Sequence, residues 1–124
     1  MTSLFANSSV IEITPTNFKN GRIVHPMLDG TTKGLLICFT NWCSFCKKVK
    51  PDYIKTANTL GKSFPLFSFD CEKYPDFAKT MGVKSFPTIR FINKNGTLGK
   101  PFNGNRTVEG FLGAICTEGS VCHK

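Results

Sequence analysis

Changes in the spacing of apolar and polar residues divide the chain into elements. Val10 to Ile13 alternates apolar and polar residues, which suits a short strand, and Pro15 with Asn17 then favours a turn or the first turn of a helix. Leu35 to Phe39 is an unbroken aliphatic and aromatic run and reads as a buried strand. The mixed polar and apolar stretch from Ser44 to about Leu60 predicts a long helix, ended by Gly61 and kinked at Pro51, where a backbone hydrogen bond is lost. Leu66 to Phe69 predicts the next strand, and Asp76 to Met81 a short helix closed by Gly82. Thr88 to Ile92 and Leu98 to Phe102 flank Asn95-Gly96, a hairpin signal because both residues tolerate positive φ. Thr107 is placed to cap a last helix running to about Cys116, with Glu109 suited to the positive end of its dipole. The least patterned stretch is Gly21 to Gly34. There Arg22 to His25 fits a short strand, and Pro26 to Lys33 a loop or weak helix. From Leu35 onward the order β-α-β-α-β-β-α predicts an α/β domain, a mixed sheet with helices on both faces.

Length and composition narrow this picture. A chain of 124 residues is one domain of ordinary size, and twelve phenylalanines supply a core. The formal charge is +8, but the lysines are scattered apart from Lys47-Lys48-x-Lys50, and no nucleic-acid-reading motif accompanies them. The charge therefore predicts a soluble monomer with a positive rim, with neither nucleic acid nor membrane as partner. The first nine residues lack the pattern of a secretory leader, and no apolar stretch is long enough to span a bilayer. Lysine far exceeds arginine, and asparagine, isoleucine and phenylalanine are common, a bias of AT-rich genomes such as those of some protists and large DNA viruses. The expected setting is the cytoplasm or a virion, or a lumen if a leader has been removed.

The candidate chemistry lies at Cys43-Ser44-Phe45-Cys46, where the apolar strand hands over to the long helix. A thiol at a helix start faces unpaired N–H groups and the positive end of the dipole, both of which favour the thiolate. The spacing lets the second thiol reach back to the first. The same spacing also serves as half of a zinc site, or arises by chance in a chain with six cysteines. His25 has no local partner and reads as a surface or half-buried residue. Cys38 and Cys71 read as packing residues. Cys116 and Cys122 enclose a short loop with Gly119 and Ser120. They are open to a tail disulfide, to free thiols, or to a four-sulfur zinc site with Cys43 and Cys46.

Several stretches together resemble the thioredoxin superfamily, most closely the catalytic domains of protein disulfide isomerases. They are Trp42-Cys43-Ser44-Phe45-Cys46-Lys47, Phe69-Asp70-Cys71-Glu72 with Phe77 to Val83, Phe86-Pro87-Thr88, Phe91 to Gly96, and Asn103-Gly104-Asn105-Arg106, with Val10 to Thr14 and Asn17-Phe18 at the start. The resemblance implies a thioredoxin fold over residues 10–116, a flexible N-terminus over 1–9 and a C-terminal tail over 117–124. It implies a thiol-disulfide oxidoreductase that needs no cofactor and acts on protein substrates with disulfides or thiols. An unidentified reductase or oxidase would regenerate it. Cys43 is then the exposed nucleophile and Cys46 the more covered resolving cysteine. Trp42, Phe86 and a cis Pro87 form the substrate-binding set, with the Phe86 backbone pairing to the substrate as an added strand.

Arg106 stands at the family's mobile arginine and is expected either to favour the Cys46 thiolate or only to cover the last helix's start. Two departures stand out. The family's buried acid, six residues before the first cysteine, is Ile37, and its facing lysine is Ser68, which predicts slow proton transfer at Cys46. Phe45 replaces the isomerases' histidine, which predicts a less oxidising potential than theirs within the family's range of about −270 to −120 mV. The rival expectations are a docking or chaperone module with accessory redox activity, and a zinc-binding structural module.

Overall fold

The computed structural model describes residues 3–123. In chain order the elements are strands β1 (Ile11–Ile13), β2 (Phe18–Lys19), β3 (Arg22–Ile23) and β4 (Gly34–Phe39), helix α1 (Ser44–Leu60), strand β5 (Leu66–Asp70), helix α2 (Pro75–Thr80), strands β6 (Thr88–Ile92) and β7 (Leu98–Pro101), and helix α3 (Val108–Gly119). The apolar run becomes β4, every residue of which is buried. It lies at the centre of a five-stranded sheet of order β1-β5-β4-β6-β7. β5 runs parallel to both β1 and β4, whereas β6 is antiparallel to β4 and β7. The sheet is thus mixed, as expected, because α1 carries the chain back to the starting end between β4 and β5.

The two faces of β4 fill two cores. Leu35, Ile37 and Phe39 pack with Val49 and Tyr53 of α1 and Phe111 and Ile115 of α3. Leu36 and Cys38 face the other side with Phe67, Phe69 and Ala78 of α2. Each fully buried large apolar side chain contributes roughly 1.5–3 kcal/mol. Tyr53 is wholly buried, and its hydroxyl donates to the Phe67 carbonyl at 2.8 Å, so the polar end of a core residue is satisfied by the sheet. α1 and α3 are tied where the Val108 N–H donates to Asp52 Oδ2 at 3.0 Å. Thr107 caps α3 by accepting the Gly110 N–H at 3.0 Å.

Several expectations change. Phe5 is 2% exposed and packs edge-on to Phe39 and Tyr53, with ring centroids 5.2 and 5.4 Å away. Phe5, within the segment expected to be flexible, is therefore part of the core. Met1 and Thr2 of that segment, and Lys124 of the expected tail, lie outside the described residues. Between the loop and the weak helix expected over Pro26 to Lys33, the chain takes the loop, and the strand expected at Arg22 to His25 forms over Arg22–Ile23. β2 and β3 make a separate two-stranded sheet, and the Ile23 N–H donates to the Gly96 carbonyl of the far hairpin at 2.9 Å. In that hairpin only Gly96 takes positive φ, at 89°, so Asn95 does not share the conformation expected of it. A side chain at Gly96 would collide with the Ile23 carbonyl. α3 runs past Cys116 to Gly119, whose missing side chain leaves room for the Phe64 ring, and Ser120 ends it in the left-handed region at φ 62°.

Candidate active site

β4 ends beside the loop that begins α1, and Cys43 is the residue that caps the helix. Its backbone is extended, and its Sγ accepts the Cys46 N–H at 3.2 Å, so the first cysteine satisfies one of the free donors of the first turn. Cys46 lies one turn on, pointing into the core with no exposure. Both thiols are free. Cys43 was expected in the open, yet only 5% of it is exposed. Phe86, delivered by the loop before β6, packs against the cluster that holds both cysteines. The surface above them is aromatic: Trp42 is 66% exposed and Phe45 59% exposed. Trp42 and Phe86 meet edge-on at 6.0 Å. Pro87 is buried, and its bond to Phe86 is cis. Among the described residues, the Phe86 N–H and carbonyl have no backbone partner. The structure thus gathers Trp42, Cys43, Cys46, Phe86 and Pro87 at one end of the sheet.

Burial pushes the Cys46 thiol up to about 12, helped by its hydrogen bond to Cys43 and by repulsion from that sulfur; a Thr40 backbone bond and the Arg106 guanidinium pull the other way. Nothing in β4 offers a base for that proton. Ile37 is fully buried and sits in register between Ser68 and Ile89. The Ser68 Oγ is buried with no hydrogen-bond partner, a hydroxyl left where a charged pair is absent. Arg106 is exposed and lines a groove with Phe45, Lys48 and Val49.

One support escaped the sequence reading. The Asn41 N–H donates to a Glu72 carboxylate oxygen at 2.9 Å, and its side-chain amide reaches Asp70 Oδ2 at 3.5 Å. Asp70 is 5% exposed, and its Oδ1 takes the N–H groups of Glu72 and Lys73 at 3.0 Å each. The loop after β5 therefore holds the loop that carries the cysteines. Asp70-Cys71-Glu72 entered the sequence reading only as part of the family resemblance, and the parallel pairing of β4 and β5 shows what it grips.

The other cysteines lie apart from this site. Cys38 and Cys71 are buried on the opposite face of the sheet, and a hydrogen bond between them, with burial, drives the Cys38 thiol well up. Cys116, in the last turn of α3, is bonded to Cys122 just beyond it, with Cα atoms 4.3 Å apart. Among the described residues, no three His, Cys, Asp or Glu side chains gather as a metal site. The four-sulfur arrangement is therefore not formed. His25 is half-buried against Phe67, its Nδ1 accepts the Met27 N–H at 3.1 Å, and burial lowers its pKa.

The thioredoxin family model matches residues 9–116. The chain belongs to the thioredoxin family. This thioredoxin domain is 31% identical over 112 residues to a probable protein disulfide-isomerase A6 of Medicago sativa, covering 89% of this chain and 29% of that one. The chain spans less than a third of the length of the curated relatives it matches first. Among solved structures, the Trx4 domain of ERdj5 superposes with a TM-score of 0.70 at 19% identity, covering 90% of this chain and 96% of that one. The zinc-bound form of human ERp44 superposes with a TM-score of 0.73 at 17% identity, covering 89% of this chain and 30% of that one. At those identities the structural matches establish the fold. The curated relatives place the thioredoxin domain in a family of thiol-disulfide oxidoreductases.

Proposed function

We propose that this domain exchanges disulfides with protein substrates through Cys43 and Cys46. The observation that carries the reading is two free thiols across the first turn of α1, with the Cys43 sulfur accepting a backbone N–H beneath an exposed aromatic surface. In the reducing direction the Cys43 thiolate attacks one sulfur of a substrate disulfide. The substrate S–S bond breaks, a mixed disulfide forms, and the departing sulfur takes a proton. Cys46 then loses its proton and attacks Cys43, which releases the second substrate sulfur and leaves the Cys43–Cys46 disulfide. The substrate gains two electrons and the domain loses two, so a dithiol reductase must restore it. In the oxidising direction the same steps run backwards, and a disulfide oxidase restores it.

The Trp42 ring, with the unpaired backbone of Phe86 beside Pro87, supplies the surface on which an extended substrate segment docks. The second step is the slow one. Cys46 holds its proton tightly, and Ile37 provides no acceptor. Arg106 acts as a positioning residue that favours the Cys46 thiolate from outside the core.

The missing acceptor and the open aromatic surface also favour a second reading, a docking or chaperone module whose redox activity is accessory. Insulin reduction with dithiothreitol separates them. Acceleration over dithiothreitol alone supports exchange, and its absence alongside binding of unfolded protein supports docking. Among the described residues no helix is long and apolar enough to cross a membrane. The Cys116–Cys122 bond suits an oxidising lumen or a particle outside the cell, and it would open in a reducing cytosol.

A further inference from the structure

The groove beside the cysteines differs in character from the aromatic surface above them. It holds about 200 Å³ and is lined by Phe45, Lys48, Val49 and Arg106. Phe45 and Val49 make it apolar, while Lys48 and Arg106 are exposed cations. The first turn of α1 contains no acidic residue. The ion pair found among the described residues is Lys100–Glu118, so neither cation is neutralised by a carboxylate. The nearby Asp52 is turned to the Val108 N–H of α3. Phe45 stands between the two cysteines in the chain, so a side chain lodged here belongs to a segment already at the dithiol.

Resting on the exchange reading above, the geometry points to a specificity subsite in this groove for an acidic side chain of the protein substrate, next to the cysteine under attack. A glutamate fits both halves of the lining. Its methylenes lie on Phe45 and Val49, and its carboxylate lies between Lys48 and Arg106, where a lysine would be repelled. The volume admits one side chain rather than a length of chain. The subsite therefore selects the neighbour of the substrate cysteine, not a whole motif.

The test uses three synthetic peptides lacking tryptophan, each with one internal disulfide and with Glu, Gln or Lys flanking the attacked cysteine. Exposed charge pairs are individually weak, so two cations should give the Glu peptide a kcat/KM roughly three- to tenfold above the Lys peptide at low salt. The difference should lie mainly in KM and fade as salt rises. Lys48→Glu and Arg106→Gln should each shrink the Glu-to-Lys ratio, and Lys48→Glu should invert it. Lys79→Glu, an exposed change on α2 that alters net charge equally, should leave the ratio unchanged. A ratio near one in the wild type, or an equal effect of Lys48→Glu and Lys79→Glu, overturns the subsite.

A second readout does not depend on exchange. Trp42, the single tryptophan of the chain, reports binding of linear peptides in which serine replaces both cysteines. Tighter binding of the Glu peptide, lost in Lys48→Glu, sustains the subsite even if no peptide is turned over, in which case the exchange reading alone fails. Equal binding of the three peptides overturns the subsite even if all are turned over.

Discussion

Two cysteine pairs stand at opposite kinds of helix end, and the structure treats them differently. Cys43 and Cys46 open α1, remain free thiols, and sit beneath Trp42 and Phe86. Cys116 and Cys122 lie at the close of α3 and are bonded to each other, with Cys122 exposed. A helix start presents N–H donors, and one of them already reaches the Cys43 sulfur. A helix end presents carbonyls, which offer a thiolate nothing. The first pair is also held from outside by Asn41, Glu72 and Asp70, while the second closes a six-residue separation around a left-handed Ser120. The comparison teaches that close spacing makes a pair possible, but the polarity of the helix end and the packing around it decide what the pair is suited to do.

The largest effect that could break this contrast comes from the first pair. Cys43→Ser should lower insulin reduction by on the order of a thousandfold or more, whereas Cys46→Ser should accumulate mixed disulfides visible by mass spectrometry. Full activity in both single variants would end the assignment. The next effect is on pH. Because burial holds the Cys46 thiol up to about 12, its thiolate fraction rises about tenfold per unit between pH 7 and 9. Release of the mixed disulfide by Cys46 in the unmodified domain should rise roughly a hundredfold over that span. A flat profile would show that another group removes the proton.

Ile37→Glu sharpens the same point. A carboxyl placed beside the unpartnered Ser68 hydroxyl should speed that release roughly ten- to a hundredfold at pH 7, at a cost of a few kcal/mol in stability measured by urea unfolding. The smallest effect belongs to the second pair. Replacing Cys116 and Cys122 together by alanine should lower stability by less than about 3 kcal/mol, since the closed loop is short, and should leave insulin reduction within about twofold. A large loss of turnover would make the tail pair a participant in exchange.

Much of the fold follows from local chemistry. The strand at Leu35 to Phe39, the helix from Ser44 to Leu60, the Thr107 cap and the placing of two cysteines at a helix start each depend on residues within a turn or two of one another. The resemblance added Phe86-Pro87 to the site, and the structure brings Trp42 and Phe86 together.

What the sequence by itself determined is therefore the order of elements, the mixed sheet and the pair of cysteines that begins α1. What only the tertiary structure decided depends on residues far apart in the chain. Phe5 enters the core against Phe39 and Tyr53, two rings distant from it in the chain. Ile23 is tied to the hairpin at Gly96, which no local pattern near Ile23 signals. Cys43 is buried in a cluster against which Phe86, from the loop before β6, packs. Asn41 is held by two acids some thirty residues away because β4 and β5 run side by side. The cationic groove exists because the Arg106 loop folds against the first turn of α1. Local propensity acts along the chain, whereas burial and charge act across it. Pairing distant segments is what the spacing of residues alone does not encode.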